Sequence, residues 1–104
     1  MNIQSWISNI LSTDPSIYEN AYWGSRPDKV KVVPILISLL ETVHDSYSRG
    51  KIIELLGESE DSSVISLLEV ESRHPDQRIR DWANGAIVDL NKGEKWEKVE
   101  RYLS

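Results

Sequence analysis

The stretch Leu36-Ile37-Ser38-Leu39-Leu40-Glu41 is written a second time, with one change, as Val64-Ile65-Ser66-Leu67-Leu68-Glu69. Downstream of each copy stand an Asp and, four residues later, an Arg: Asp45 with Arg49, and Asp76 with Arg80. A second apolar stripe follows each Arg. The phrase recurs at an offset of 28 (64 − 36) and the Asp/Arg pair at 31 (76 − 45), which assigns three extra residues to the internal turn of the second copy, within Glu71–Pro75. A unit of this size with two amphipathic stretches suits a helical hairpin, which cannot bury its apolar face alone and needs a stacked neighbour. The expected fold class is all-α: a short α-α superhelix of stacked antiparallel hairpins with about six helices.

In the first copy, Asp28–Thr42 places Leu36, Leu39, Leu40 and Val43 at the 3,4 spacing of a buried stripe. Pro34 interrupts it, so either the regular helix starts near Val33 or an earlier turn is kinked by the missing amide. Ser46–Gly57 is the partner helix, with Ile52, Leu55 and Leu56 inward and Gly57 closing it. The acidic turn Glu58-Ser59-Glu60-Asp61 ends in an acid suited to a helix start. In the second copy, Ser62–Arg73 carries Val64, Ile65, Leu67 and Leu68 and is broken by Pro75. Gln77–Asn91 then puts Ile79, Trp82, Ala83, Ala86, Ile87 and Leu90 on one stripe. The small Ala83 and Ala86 allow close approach of a neighbour, and Asn91-Lys92-Gly93 stops the helix.

Two short helices precede this pair. Asn2–Ser12 gathers Ile3, Ile7, Ile10 and Leu11 beside Trp6. Asp14 caps Pro15–Trp23, and Gly24 is expected to close it in a left-handed conformation. Ile7-Ser8 aligns with Ile37-Ser38, so residues 1–27 read as an N-terminal cap or a degenerate repeat. Residues 28–58 and 59–93 are the repeats. Residues 94–104 read as a C-terminal capping helix, with Trp96, Val99 and Leu103 on one face and Glu94/Lys98 and Glu97/Arg101 at i,i+4. The whole, 1–104, is expected to form one domain.

The chain has 104 residues, enough for one domain with a modest core. A net charge of −5 opposes unspecific nucleic-acid binding, which needs the other sign. The absence of cysteine removes thiolate chemistry and Cys-ligated zinc and suits a reducing compartment. Met1–Ser12 has neither a basic leader nor a small-residue cleavage site, and apolar runs such as Ile35–Ile37 fall far short of the ~20 residues that span a bilayer. A cytoplasmic protein without a membrane partner is expected.

The repeat resembles a HEAT repeat, of the short HEAT-like kind also found in phycobilisome lyases. The pattern is a helix ending in Leu-Leu-Glu, a turn with Asp, an Arg, then apolar residues. Here these are Leu39-Leu40-Glu41, Asp45, Arg49, Ile52, Leu55, Leu56 and Gly57, then Leu67-Leu68-Glu69, Asp76, Arg80, Ala83, Ala86, Ile87 and Leu90. The similarity covers about Val33–Leu90. Ser48 departs from it, standing where the second copy has the more usual Ile79. The resemblance implies that Asp45, Arg49, Asp76 and Arg80 form a structural ladder between repeats. It also implies that the second helices line a concave, partner-docking side.

No residue pattern points to catalysis, a metal or a cofactor. His44 and His74 are isolated turn histidines without a His-x-x-x-His partner. Glu58, Glu60, Asp61, Glu69 and Glu71 read as solvated carboxylates, without EF-hand spacing. No Gly-x-Ser-x-Gly, Ser-x-x-Lys or phosphate-cradling loop occurs.

The aromatic residues carry more. Trp6, Tyr18, Tyr22 and Trp23 either cap the hairpin stack or form a partner patch. Trp82 aligns with Lys51 and is expected to be covered by the last helix through Trp96, or else to lie on a binding surface. The outward positions of the second helices are Tyr47, Lys51, Glu54 and Glu58, then Arg78, Asp81, Gly85 and Asp89. With Trp23, the charged and aromatic ones are the candidate protein-binding residues. The expected function is a non-catalytic protein-binding module without cofactor, in particular a cytosolic immunity or antitoxin-type inhibitor of a toxin or basic protein segment. The alternative is a lyase-like, enzyme-associated or cofactor-handling protein. Nucleic-acid binding is disfavoured by Glu54, Glu58, Asp81 and Asp89 against only Lys51 and Arg78.

Overall fold

Six α-helices and one 3₁₀ turn, with no strand, make up the described residues, 2–98, of the computed structural model. The helices are α1 (Ile3–Ile10), α2 (Pro15–Trp23), α3 (Lys29–Leu39), α4 (Ser46–Gly57), α5 (Ile65–Glu71) and α6 (Gln77–Lys92), with the 3₁₀ turn Ser62–Val64 leading into α5. A short polar side chain starts every helix but α5, which continues from the 3₁₀ turn. Asn2, Asp14, Asp28, Asp45 and Asp76 accept an amide of the first turn of α1, α2, α3, α4 and α6, and Asp61 does so for the 3₁₀ turn. The amides of a first turn have no partner within the helix, and these oxygens supply one. None of these helices is long and apolar enough to cross a membrane.

The two copies of the repeated phrase bury matching residues. Leu36 and Val64, and Leu40 and Leu68, are each at most 6% exposed. α4 and α6 start at Ser46 and Gln77, 31 residues apart (77 − 46), the offset of the Asp/Arg pair. α4 packs along α6, α3 against α4, and α5 against α6. Ile52, Ile53, Leu55 and Leu56 of α4 meet Ile79, Ala83 and Ala86 of α6 in one core. The approach is close because small residues line it: a Cβ on Gly57 would stand 2.7 Å from Ala86 Cα.

Four expectations are corrected. The three extra residues of the second copy do not lengthen its turn. Six residues (40–45) separate α3 from α4, and five (72–76) separate α5 from α6. The insertion instead extends α5 beyond the point where α3 stops, which carries Glu71 under Arg49. Gly24 is extended, at φ −85° and ψ −167°, not left-handed; the left-handed closure is at Gly93, φ 75°. Of the two alternatives for Pro34, the late start near Val33 is overturned, because α3 runs through the proline from the Asp28 cap. The missing amide leaves the Val30 carbonyl without its i+4 donor, at a residue 74% exposed, where water can serve.

The fourth concerns the C-terminus. Glu94–Lys98 form an irregular strap with a bend at Trp96, not the start of a helix, and the rest of the expected capping helix lies outside the described residues. The strap turns back to the N-terminal helices. Trp96, 2% exposed, packs on Trp6 with ring centroids 5.8 Å apart, and its indole N–H donates to Pro27 O at 2.9 Å. Its backbone amide donates to Glu60 Oε2 at 3.0 Å, and Lys95 pairs with the same carboxylate. An exposed i,i+4 pair contributes ~0.2–0.5 kcal/mol to a helix, and losing a buried Trp costs ~3–5 kcal/mol. Trp96 therefore decides the path.

Candidate protein-interaction surface

Tyr47, in the first turn of α4, meets Trp82, in the second turn of α6. Their ring centroids are 6.3 Å apart, edge to face, and Tyr47 is 51% exposed. Trp82 is half-buried, but not by the strap, because Trp96 is on Trp6. It lies on Gly50, where a Cβ would stand 2.0 Å from its ring. The expected cover by Trp96 is thus overturned, and a glycine in mid-helix supplies the seat.

Lys51 was expected outward and is 3% exposed. Its ammonium donates to Ser12 O at 2.9 Å and sits over the rings of Tyr18 (4.3 Å) and Tyr47 (4.2 Å). Tyr18 is in turn half-buried, and burial, with Glu54 nearby, pushes its phenol well above the usual range. Glu58 was also expected outward and is 3% exposed. It accepts from the Tyr22 hydroxyl and from Arg26 Nη1 at 2.9 Å, and Lys98 Nζ lies 3.5 Å away. Arg26 is enclosed between the rings of Tyr22 (4.6 Å) and Trp96 (4.9 Å) and donates to Tyr22 O. The helical wheel puts Lys51 and Glu58 on the outer side, but α2 and the turn after it cover that side. Lys51 holds α2 and the turn before it, and Glu58 holds α2 and the strap.

The other candidates are distributed as follows. Glu54 is half-buried, and burial, then Glu58 and Asp89, push its carboxyl up. Asp89 is raised by burial, then by Glu94 and Glu58. Gly85 and Asp81 are exposed. Arg78 is held by Asp76 Oδ2 at 3.1 Å and by Ser46 Oγ at 3.3 Å. Trp23, 45% exposed, takes its indole N–H to Glu19 at 3.1 Å, away from Tyr47 and Trp82. The structure therefore brings together Tyr47, Trp82, Arg78 and Asp81, and leaves Trp23 apart.

Among the four ladder residues, Asp45 and Asp76 cap α4 and α6, and Asp76 also accepts from Ser46 of the preceding repeat. Arg49 and Arg80 both reach back to carbonyls of the turn before their helix, Leu40 and Val43 for one, His74 and Pro75 for the other. Arg49 also grips Glu71 through two bonds of 2.7 and 3.0 Å. Polar links between the repeats among the described residues include Ser46–Asp76, Arg78–Ser46 and Arg49–Glu71, and none of them pairs an Asp with an Arg of that set.

Elsewhere, His44 is exposed and His74 accepts the Asp76 amide. A groove of about 640 Å³ runs along α3, floored by Val30, Val33, Pro34 and Ile37. Its rim charges are matched internally: Lys29 pairs with Glu60, and Asp61 caps the 3₁₀ turn. Arg26 and Gly50 escaped the sequence reading, and Lys98 was read only as the i,i+4 partner of Glu94, a pair the structure holds at 3.5 Å, and not as a partner of Glu58. Gly50 had a signal, since an uncapped glycine inside a helix needs a packing reason; Arg26 had none, and nothing local joined Lys98 to Glu58. No family model, curated protein or solved structure matches this chain.

Proposed function

We propose that this chain is a non-catalytic protein-binding module that receives a basic or mixed-charge segment of another protein on the α4/α6 face, and that it serves as an immunity or antitoxin-type inhibitor. The observation that carries the reading is the Tyr47–Trp82 pair: large, exposed or half-exposed rings fixed by Gly50 and Lys51 beneath them. Aromatic anchors that are already immobile lose little entropy on binding, which is why they dominate interface hot spots. The likeness of the repeat to HEAT-like arrays, whose second helices line the docking side, supports the same face.

The test is co-purification from the chain's own cells, including the products of neighbouring genes, with wild type beside Y47A and W82A. The expected result is one protein retained by wild type, with affinity reduced about tenfold or more in each variant. Recovery of no protein, or equal retention by both variants, would overturn the proposal.

A further inference from the structure

We propose that the partner anchors on this face through an arginine side chain that stacks on the Trp82 indole and pairs with the Asp81 carboxylate; this rests on the protein-binding reading above.

Among the described residues, two places bring a cation against aromatic rings, and both are filled from within. Arg26 lies between Tyr22 and Trp96 with Glu58 as its carboxylate. Lys51 lies over Tyr18 and Tyr47 with Ser12 O as its acceptor. A third place has the ring and the carboxylate without the cation. An open recess of about 370 Å³ is lined by Trp82, Asp81 and Arg78. Arg78 does not serve there: its guanidinium is turned to Asp76 and Ser46, and no cation among the described residues lies over the Trp82 ring. Asp81 has neither an ion pair nor a side-chain hydrogen bond among the described residues.

The electrostatics agree in sign. Arg78 is neutralised by Asp76, and Lys51 is enclosed beneath Tyr47. Asp81 brings a carboxylate without an ion pair to this surface, and Asp45, which caps α4, lies close enough to Arg78 to feel its charge. The face of an indole is itself the negative end of a quadrupole. A cation is thus favoured by both walls. Arginine fits better than lysine because its guanidinium is planar, is weakly hydrated, stacks on a ring and can offer paired N–H donors to a carboxylate at its edge. A quaternary ammonium would need several ring faces, and Tyr47 meets Trp82 edge to face instead.

The experiment is an NMR titration of the whole chain with three blocked tripeptides, Gly-Arg-Gly, Gly-Lys-Gly and Gly-citrulline-Gly. The Trp82 indole N–H is assigned through W82F, and the series is repeated on D81N, an exposed substitution whose folding is checked by circular dichroism. The expected result is a saturable shift of the Trp82 indole with the arginine peptide. Binding weakens about tenfold with citrulline, several-fold with lysine, and about tenfold for the arginine peptide on D81N. Equal binding of arginine and citrulline, unchanged binding by D81N, no saturable shift, or a shift centred on Trp23 would each overturn the arginine anchor. The protein-binding reading has its own readout: a captured partner that depends on Tyr47 and Trp82 but not on Asp81 would keep that reading while sinking this one.

Discussion

Gly57 has no room for a methyl group. Its added Cβ would lie 2.7 Å from Ala86 Cα and 2.8 Å from the Ala86 carbonyl oxygen, which are helix backbone and cannot rotate away. G57A should lower unfolding stability by about 2 kcal/mol in urea titration, despite the better helix propensity of alanine. At Gly50 the obstacle is the Trp82 side chain, which borders open space. G50A should therefore lose less stability but change the Trp82 fluorescence and weaken partner binding. The half-buried Glu54 makes a different prediction. Its folded pKa is raised by burial, Glu58 and Asp89, so its ionised form weakens the fold at neutral pH. E54Q should raise Tm at pH 7, and the gain should shrink as acidification protonates Glu54 in the wild type. Asp76 has the opposite sign. Arg78, Ser46 and the Arg78 amide hold its carboxyl low. Its contribution is present above the unfolded value of about 4 and is lost as pH falls through the folded one. D76N should thus lower Tm at neutral pH and lose its effect in strong acid. The helix caps could be read in advance because capping depends on residues two or three positions apart. The burial of Lys51 and Glu58 could not, because their cover comes from α2, more than thirty residues upstream.

Among the elements, α5 shows how an insertion becomes a joint. The turn by which it outruns α3 sets Glu71 under Arg49, and the two side chains are 8% and 11% exposed. Removing one partner of such a pair leaves a charge with poor hydration, and the typical loss is ~3–5 kcal/mol. E71A should destabilise by about 3 kcal/mol in chemical denaturation. The double variant R49M/E71L should recover most of that, since both charges leave together. The phrase repeat and its apolar stripes were legible because the periodicity is local and each copy confirms the other. The end of α5 was not, because it is fixed by an arginine 22 residues back (71 − 49). The strap was misread for a related reason: Glu94 and Lys98 have helical spacing, while the groups that hold Trp96 are Trp6, Pro27 and Glu60.

At the scale of the molecule, the strap decides how firmly the N-terminal helices are held. W96A should lower stability by about 3–5 kcal/mol while leaving the far-ultraviolet circular dichroism of the surviving fold all-helical at low temperature. The near-ultraviolet signal from the Trp6–Trp96 contact should vanish with it. A radius of gyration of 12.9 Å is that of a packed domain of ~100 residues, not of an elongated rod. Stacked-hairpin proteins ordinarily grow or shrink by whole units, because each touches only its neighbours. In this chain the strap after α6 returns to α1. An additional hairpin spliced between Gly57 and Gly93 would carry Trp96 away from its seat on Trp6, so the stretch from Trp6 to Trp96 is a loop buckled at one length.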